Sequence, residues 1–199
     1  FKDFLTVFAK YWLENRTRLD EKKFSEVDLK LPFEKETIDY MSVLFDKNRS
    51  VAELFTSDYR VLTAAMGSFY GMSEQGLKRH KPTLVKTPGA GGLLHQANFF
   101  VAQSDGVDPR PFRRAKWILA NVFGHDLREP PGDINAELFI ANAETLTFEQ
   151  RTVAHREHKS CRSCHEALDP IAFAVNNYDT IGRMTGTANN EAKQNLTAK

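Results

Sequence analysis

The segment Ser160-Cys161-Arg162-Ser163-Cys164-His165 carries both cysteines of this 199-residue chain, two residues apart, with one of its six histidines directly after the second. C-x-x-C-H is the attachment signature for a c-type haem. Each thiol can add its S–H across a vinyl group of the macrocycle, forming a thioether, and the histidine that follows is placed to bind iron through its imidazole. The spacing therefore nominates Cys161 and Cys164 as covalent attachment points for haem c and His165 as the proximal iron ligand.

Other chemistries compete for these residues. His155, His158, Cys161 and Cys164 recur at a spacing of three, and two sulfurs with two imidazoles suit tetrahedral zinc. Structural zinc sites usually take their ligands as two pairs separated by a loop of about a dozen residues, however. On one helix these four would spread along about 14 Å of axis. A thioredoxin-like pair would need a βαβ context that the chain does not offer. The far side of the iron is open to two readings. Met184 lies beyond a turn-rich segment and can fold back as distal ligand, and His95 on a separate segment is the alternative. Arg183 and Arg162 are candidates for pairing with haem propionates, because guanidinium matches carboxylate geometry bidentately.

The elements that must position these groups read as helices. Phe1, Phe4, Leu5, Phe8 and Trp12 form an apolar stripe at helical spacing, followed by a charged loop over residues 16–23. Pro32 suits the first turn of a second helix through Ile38, Met41, Leu44 and Phe45. Ser50 with Glu53 predicts a capping box, and Asp58 predicts the cap of a helix carrying Val61, Leu62, Ala65, Met66 and Phe69. Residues 80–92, with Pro82, Pro88, Gly89, Gly91 and Gly92, have the composition of a hinge. A helix starts at Pro111 and stops near Gly124, and residues 129–132 (Glu-Pro-Pro-Gly) break the chain again. Thr147 with Gln150 predicts a capping box that opens a helix running into the C-x-x-C-H. Residues 176–183 read as turns and the last dozen residues as a polar, frayed end.

Composition narrows the classes. Hydrophobic content of 41% and charged content of 27% are those of a globular protein, and Phe is abundant at 15 copies. A net charge of +1 gives no argument for nucleic acid, and no apolar run approaches the roughly 18 residues of a membrane span. The chain opens at Phe1 inside a helical pattern, which suggests a processed product or part of a longer chain.

Residues 161–183 resemble the C-terminal module of the planctomycete-type cytochrome c family, whose pattern runs approximately C-x-S-C-H-x-x-M-D-P-x-G-F-A-L-E-N-F-D-x-I-G-R-W-R. Gly92-Leu93-Leu94 with Phe99-Phe100, and Pro111 through Leu119, are similar to two upstream patterns of that family, and residues 1–72 to the helical domain that precedes them. The resemblance supports Cys161, Cys164 and His165 as haem ligands and implies that Asp169-Pro170 is a turn supporting the loop. Leu168 stands where the family has Met, Ala172 where it has Gly, Asn176 where it has Glu and Met184 where it has Trp.

The expectation is a mostly α protein, with a helical domain over residues 1–80 packed with a small cytochrome c-like haem module over 81–199. The function expected is single-electron transfer to or from a redox partner protein or neighbouring domains of a larger chain. The alternatives are a haem enzyme with an open distal site and a zinc-bound interaction module. Haem attachment to C-x-x-C-H takes place outside the bacterial cytoplasm, so a periplasmic or extracytoplasmic location follows from the haem reading.

Overall fold

The computed structural model describes residues 1–13, 30–127 and 145–185. The charged loop, the Pro-rich break at 129–132 and the polar end expected from sequence lie outside the described residues. Of those described, 55% are helical and 7% extended, so the protein is mostly α. It divides into two compact units. Unit 1 is Phe1–Pro109 with Thr180–Arg183, and unit 2 is Arg110–Asp179 together with Met184 and Thr185 among the described residues. The units part after Pro109, whereas the glycine-rich stretch 80–92 lies within unit 1.

Unit 1 begins with α1 (Lys2–Trp12) and α2 (Lys30–Asp46), then a single-turn α3 (Glu53–Thr56). The stripe anticipated as the inner face of α1 is only partly buried. Leu5, Ala9 and Leu13 face the core, while Phe4 is 60% exposed and Phe1 and Phe8 also face outward. These outer rings stack along the helix instead, at centroid separations of 6.4 Å for Phe1–Phe4 and 6.0 Å for Phe4–Phe8. Only half of the capping box expected from Ser50 and Glu53 forms: the Glu53 carboxylate takes the Ser50 backbone N–H, but the Ser50 hydroxyl accepts from Ala52 N at 3.3 Å and not from Glu53 N. Arg49 Nε also donates to the Glu53 carboxylate at 2.6 Å and Tyr59 Oη at 2.8 Å.

After α3 the expected helix over Val61 and Leu62 is a strand, β1 (Tyr59–Leu62), paired antiparallel with β2 (Thr83–Lys86) and joined to it through α4 (Ala64–Phe69). All four β1 residues are buried, including the β-branched Val61 and the aromatic Tyr59, and such side chains pack well on a pleated surface. The glycines after β2 serve close approach. A Cβ on Gly91 would meet Ser57 O at 2.3 Å and Tyr59 N at 2.6 Å, so only glycine lets this segment lie against the start of β1. A 3₁₀ turn (Leu93–His95) and the buried α5 (Ala97–Ala102) complete the order.

The interior of unit 1 contains a polar seam. Tyr70 Oη donates to Glu36 Oε2 at 2.8 Å and accepts from the Ala97 N–H at 2.8 Å. The Arg60 guanidinium lies 3.5 Å from Glu36 Oε1 and covers the Tyr70 ring at 3.9 Å. Burial raises the Glu36 pKa to about 7 against the opposing pull of Arg60 and the Tyr70 hydrogen bond.

In unit 2, α6 (Pro111–Asn121), α7 (Phe148–Arg156) and α8 (Lys159–Val175) form the framework, with α8 packed against both others. Pro111 opens α6 after Arg110 in a left-handed conformation (φ 53°), and the predicted Thr147–Gln150 capping box opens α7 with both reciprocal hydrogen bonds in place. From inside α6 the fully buried Arg114 donates to Val175 O (3.1 Å), Tyr178 O (2.9 Å) and Asp179 O (2.6 Å). One guanidinium thus caps the last carbonyl of α8 and fixes the turn beyond it. Burial pushes its pKa down to about 9, so it remains charged at neutral pH.

Two stability outcomes follow. Because the folded state holds the Glu36 proton more tightly than the unfolded chain, its contribution is fully present below about pH 4.5 and is lost as pH rises through about 7. Glu36→Gln removes this slope, so wild type should lose up to about 3 kcal/mol relative to the variant across that window in urea unfolding. Parallel pH profiles for the two proteins would contradict it. Arg114→Met keeps the aliphatic stem but leaves three carbonyls without their donor. It should cost about 3 kcal/mol or more in thermal unfolding, with Arg114→Lys recovering only part, since an ammonium lacks the planar fork.

Candidate functional site

Helix α8 places the C-x-x-C-H in its first turns. The helix expected to run from Thr147 into this motif ends instead at Arg156, and His158 in an extended conformation (ψ 126°) separates α7 from α8. The backbone N–H groups of Cys161 and Arg162 both donate to His158 O, which starts the new helix. Cys161, Cys164 and His165 stand at i, i+3 and i+4, so all three lie on one face of α8. Both thiols are free; Cys161 is buried and Cys164 half-buried.

The same face continues with Asp169 and Ala172, both buried. Asp169 is 1% exposed and divides its two oxygens between two partners. His165 Nδ1 donates to Oδ1 at 2.7 Å, and Arg156 at the end of α7 donates to Oδ2 at 3.2 Å. A carboxylate only accepts, so Nδ1 carries a proton, and in the neutral imidazole Nε2 is then the nitrogen with a lone pair for metal. The His165 side chain is 16% exposed and sits among aromatic groups. Phe112 of α6 meets it edge-on at 5.0 Å, Phe148 of α7 packs on Phe112 at 5.3 Å, and Phe173 of α8 packs on Phe148 at 5.9 Å. The His155 ring lies 4.8 Å from His165. Partial burial, together with the neighbouring His165, holds His155 below its ordinary range.

Asp169-Pro170 is not the turn that the resemblance implies, because Pro170 lies inside α8. The residue before a proline is ordinarily pushed out of the helical region, and proline removes one helix hydrogen bond. Here the buried side chain decides. Only a continuous helix brings Asp169 beneath His165 at i+4, and both hydrogen bonds on its carboxylate depend on that register. Arg156 has no motif of its own, and the resemblance covers Asp169 and Phe112 without indicating that they meet His165. The i,i+4 spacing of His165 and Asp169 was visible in the sequence, but Pro170 concealed its meaning.

The remaining candidates are placed as follows. Met184 belongs to unit 2, is 69% exposed and forms a backbone bridge with Tyr178. His95 belongs to unit 1, where its Nδ1 donates to Gly91 O at 2.6 Å and burial holds its pKa down. Arg183 also belongs to unit 1, with its guanidinium 5.9 Å from the centre of the Phe69 ring, and Arg162 is ion-paired with Glu157 at 3.8 Å on the surface. Among the described residues, no group of three or more His, Cys, Asp or Glu side chains stands together to hold a metal ion. The helix break at His158 divides the four residues of the zinc alternative between α7 and its end on one side and α8 on the other. Two free thiols and one imidazole on one helical face beside aromatic rings are the residue types that would hold a covalently attached haem.

These features define a mostly helical protein with its chemistry-bearing residues on one helix of unit 2. Residues 90–188 match the family described as PSCyt3, protein of unknown function (DUF1588), and residues 1–72 match PSD4, protein of unknown function (DUF1592). Both are families typical of planctomycete cytochrome c-like proteins. The chain matches no curated protein and no solved structure. No described helix is long and apolar enough to cross a membrane.

If side-chain pairing at Asp169 is what carries α8 past its proline, the proline itself is a burden. Pro170→Ala restores a backbone donor at an exposed position and should raise stability by about 1–2 kcal/mol in thermal unfolding. A lowered midpoint would show that the ring is required.

Proposed function

We propose that unit 2 is a mono-haem c-type cytochrome module that passes single electrons to or from a protein partner or a neighbouring domain. The observation that carries this reading is the His165 geometry. Its Nδ1 is engaged by Asp169, which leaves Nε2 as the iron-binding nitrogen, on the same helical face as both thiols. Thiols at Cys161 and Cys164 would each lose S–H and a vinyl group its π bond, with new S–C and C–H bonds formed and no net oxidation. When bound, the haem supplies one-electron iron chemistry. The residues of this chain do the rest: the cysteines anchor, His165 ligates, Asp169 orients His165, and Phe112 with Phe148 and Phe173 supplies apolar surface. Attachment of this kind takes place outside the bacterial cytoplasm, which supports an extracytoplasmic location.

Wild-type protein matured in a bacterial periplasm should retain its pigment through denaturing electrophoresis and acid–acetone extraction. It should show a reversible one-electron spectral change with a reduced α-band. The double variant Cys161→Ala, Cys164→Ala should lose covalent pigment entirely. Extraction of the pigment from wild type overturns covalent attachment. Binding of cyanide or CO by the native protein favours the haem-enzyme alternative over electron transfer.

A further inference from the structure

We infer that Asp169 is a positioning residue that makes His165 a strong iron donor and sets the reduction potential of the bound iron low, and that Arg156 holds Asp169 in place while partly offsetting its charge. This rests on the cytochrome reading above and adds to it which residues set the potential and in which direction.

Burying a full carboxylate is costly unless it is paired and hydrogen-bonded. Asp169, at 1% exposure, meets that condition with two directional contacts, one on each oxygen. Neither oxygen can rotate away from its partner without abandoning the other. The pair holds the plane of His165 from below while the edge of Phe112 restrains it from the side. A carboxylate on the outer nitrogen of a metal-binding histidine fixes the tautomer and raises the basicity of the inner nitrogen. A more basic donor favours the more oxidised iron, which lowers the potential. Arg156 works against this. Its positive charge draws electron density from Asp169, more weakly because its side chain is 35% exposed. Removal of Asp169's charge and removal of Arg156's charge should therefore move the potential in opposite directions. A role confined to packing predicts no such sign reversal, and a through-space field without positioning predicts it with the His165 tautomer unchanged in Asp169→Asn.

The test uses the full chain with haem attached, in wild type, Asp169→Asn and Arg156→Gln, with midpoint potentials measured by spectroelectrochemistry. At a fixed applied potential, Asp169→Asn should raise the ferrous-to-ferric ratio about tenfold, an upward shift of about 59 mV for one electron. Arg156→Gln should lower that ratio two- to threefold. Potentials within a twofold ratio of wild type in both variants, or shifts of the same sign, overturn the inference. Should Asp169→Asn fail to fold, Arg156→Gln alone decides the sign. A second readout is the nitrogen chemical shifts of the His165 ring in the full chain produced without haem. Wild type should hold the Nδ1–H tautomer and Asp169→Asn should release a mixture. Wild type that never acquires haem defeats the cytochrome reading, and with it the claim on potential. The tautomer measurement then decides by itself whether Asp169 positions His165, and a mixed tautomer in wild type overturns that too.

Discussion

A buried carboxyl group needs a hydrogen-bond partner for each oxygen, and in unit 2 Asp169 finds both among the residues around the C-x-x-C-H. One oxygen is taken by His165 from the preceding turn of the same helix and the other by Arg156 from the end of α7. The first contact obliges α8 to continue through the position before Pro170, where the local preference is to stop. The second ties α7 to α8 across the break at His158. Given both, the motif lies on a rigid helical face, and the side of His165 that faces away from Asp169 presents Nε2. The arrangement of the candidate ligands is thus a consequence of satisfying one buried charge.

Arg114 performs the complementary task at the other end of α8. Helix C-termini leave carbonyls without donors, and a chain that turns sharply afterwards adds more. Here one guanidinium, held in the buried face of α6, satisfies three carbonyls between Val175 and Asp179. Its desolvation is costly, as its lowered pKa reflects, and the three hydrogen bonds offset that cost. The segment after α8 is therefore fixed by a side chain more than sixty residues earlier. This also gives a physical meaning to the arginine in the Pro111–Leu119 segment, whose similarity to a family pattern was evident before its role was.

What was legible in the sequence followed from local chemistry. The C-x-x-C-H, the Thr147–Gln150 capping box and Pro111 at the head of α6 each depend on neighbouring residues alone. Most of the misread elements depend on distant partners. Asp58 was a plausible cap, yet Tyr59–Leu62 pairs with Thr83–Lys86, and nothing between them announces the pairing. The Ser50–Glu53 box, by contrast, fails locally and only by half, because the Ser50 hydroxyl turns to Ala52 N. Gly91 and Gly92 suggested flexibility, whereas Gly91 serves the opposite end, an approach too close for any side chain. Pro170 suggested a turn because a local rule was applied where a buried ionic contact prevails.

Both units bury an acid beside an arginine from another element, and the comparison shows why only one of these networks points to chemistry. Around Glu36 every partner is internal. Tyr70 donates and is in turn held by Ala97, Arg60 stacks on Tyr70, and burial still pushes the acid up to about 7, toward its neutral form. That network closes on itself and serves the core of unit 1. Around Asp169 the chain of contacts runs from Arg156 through the carboxylate to His165 Nδ1 and ends on an imidazole. Among the described residues no hydrogen bond uses the opposite nitrogen of that ring. A network that terminates on a basic nitrogen, one helical turn from a free thiol and adjacent to a second, has a coordination capacity that the fold itself does not consume. It is this open end, more than the presence of buried charge, that makes the Asp169 network the candidate site and leaves the Glu36 network a structural ion pair.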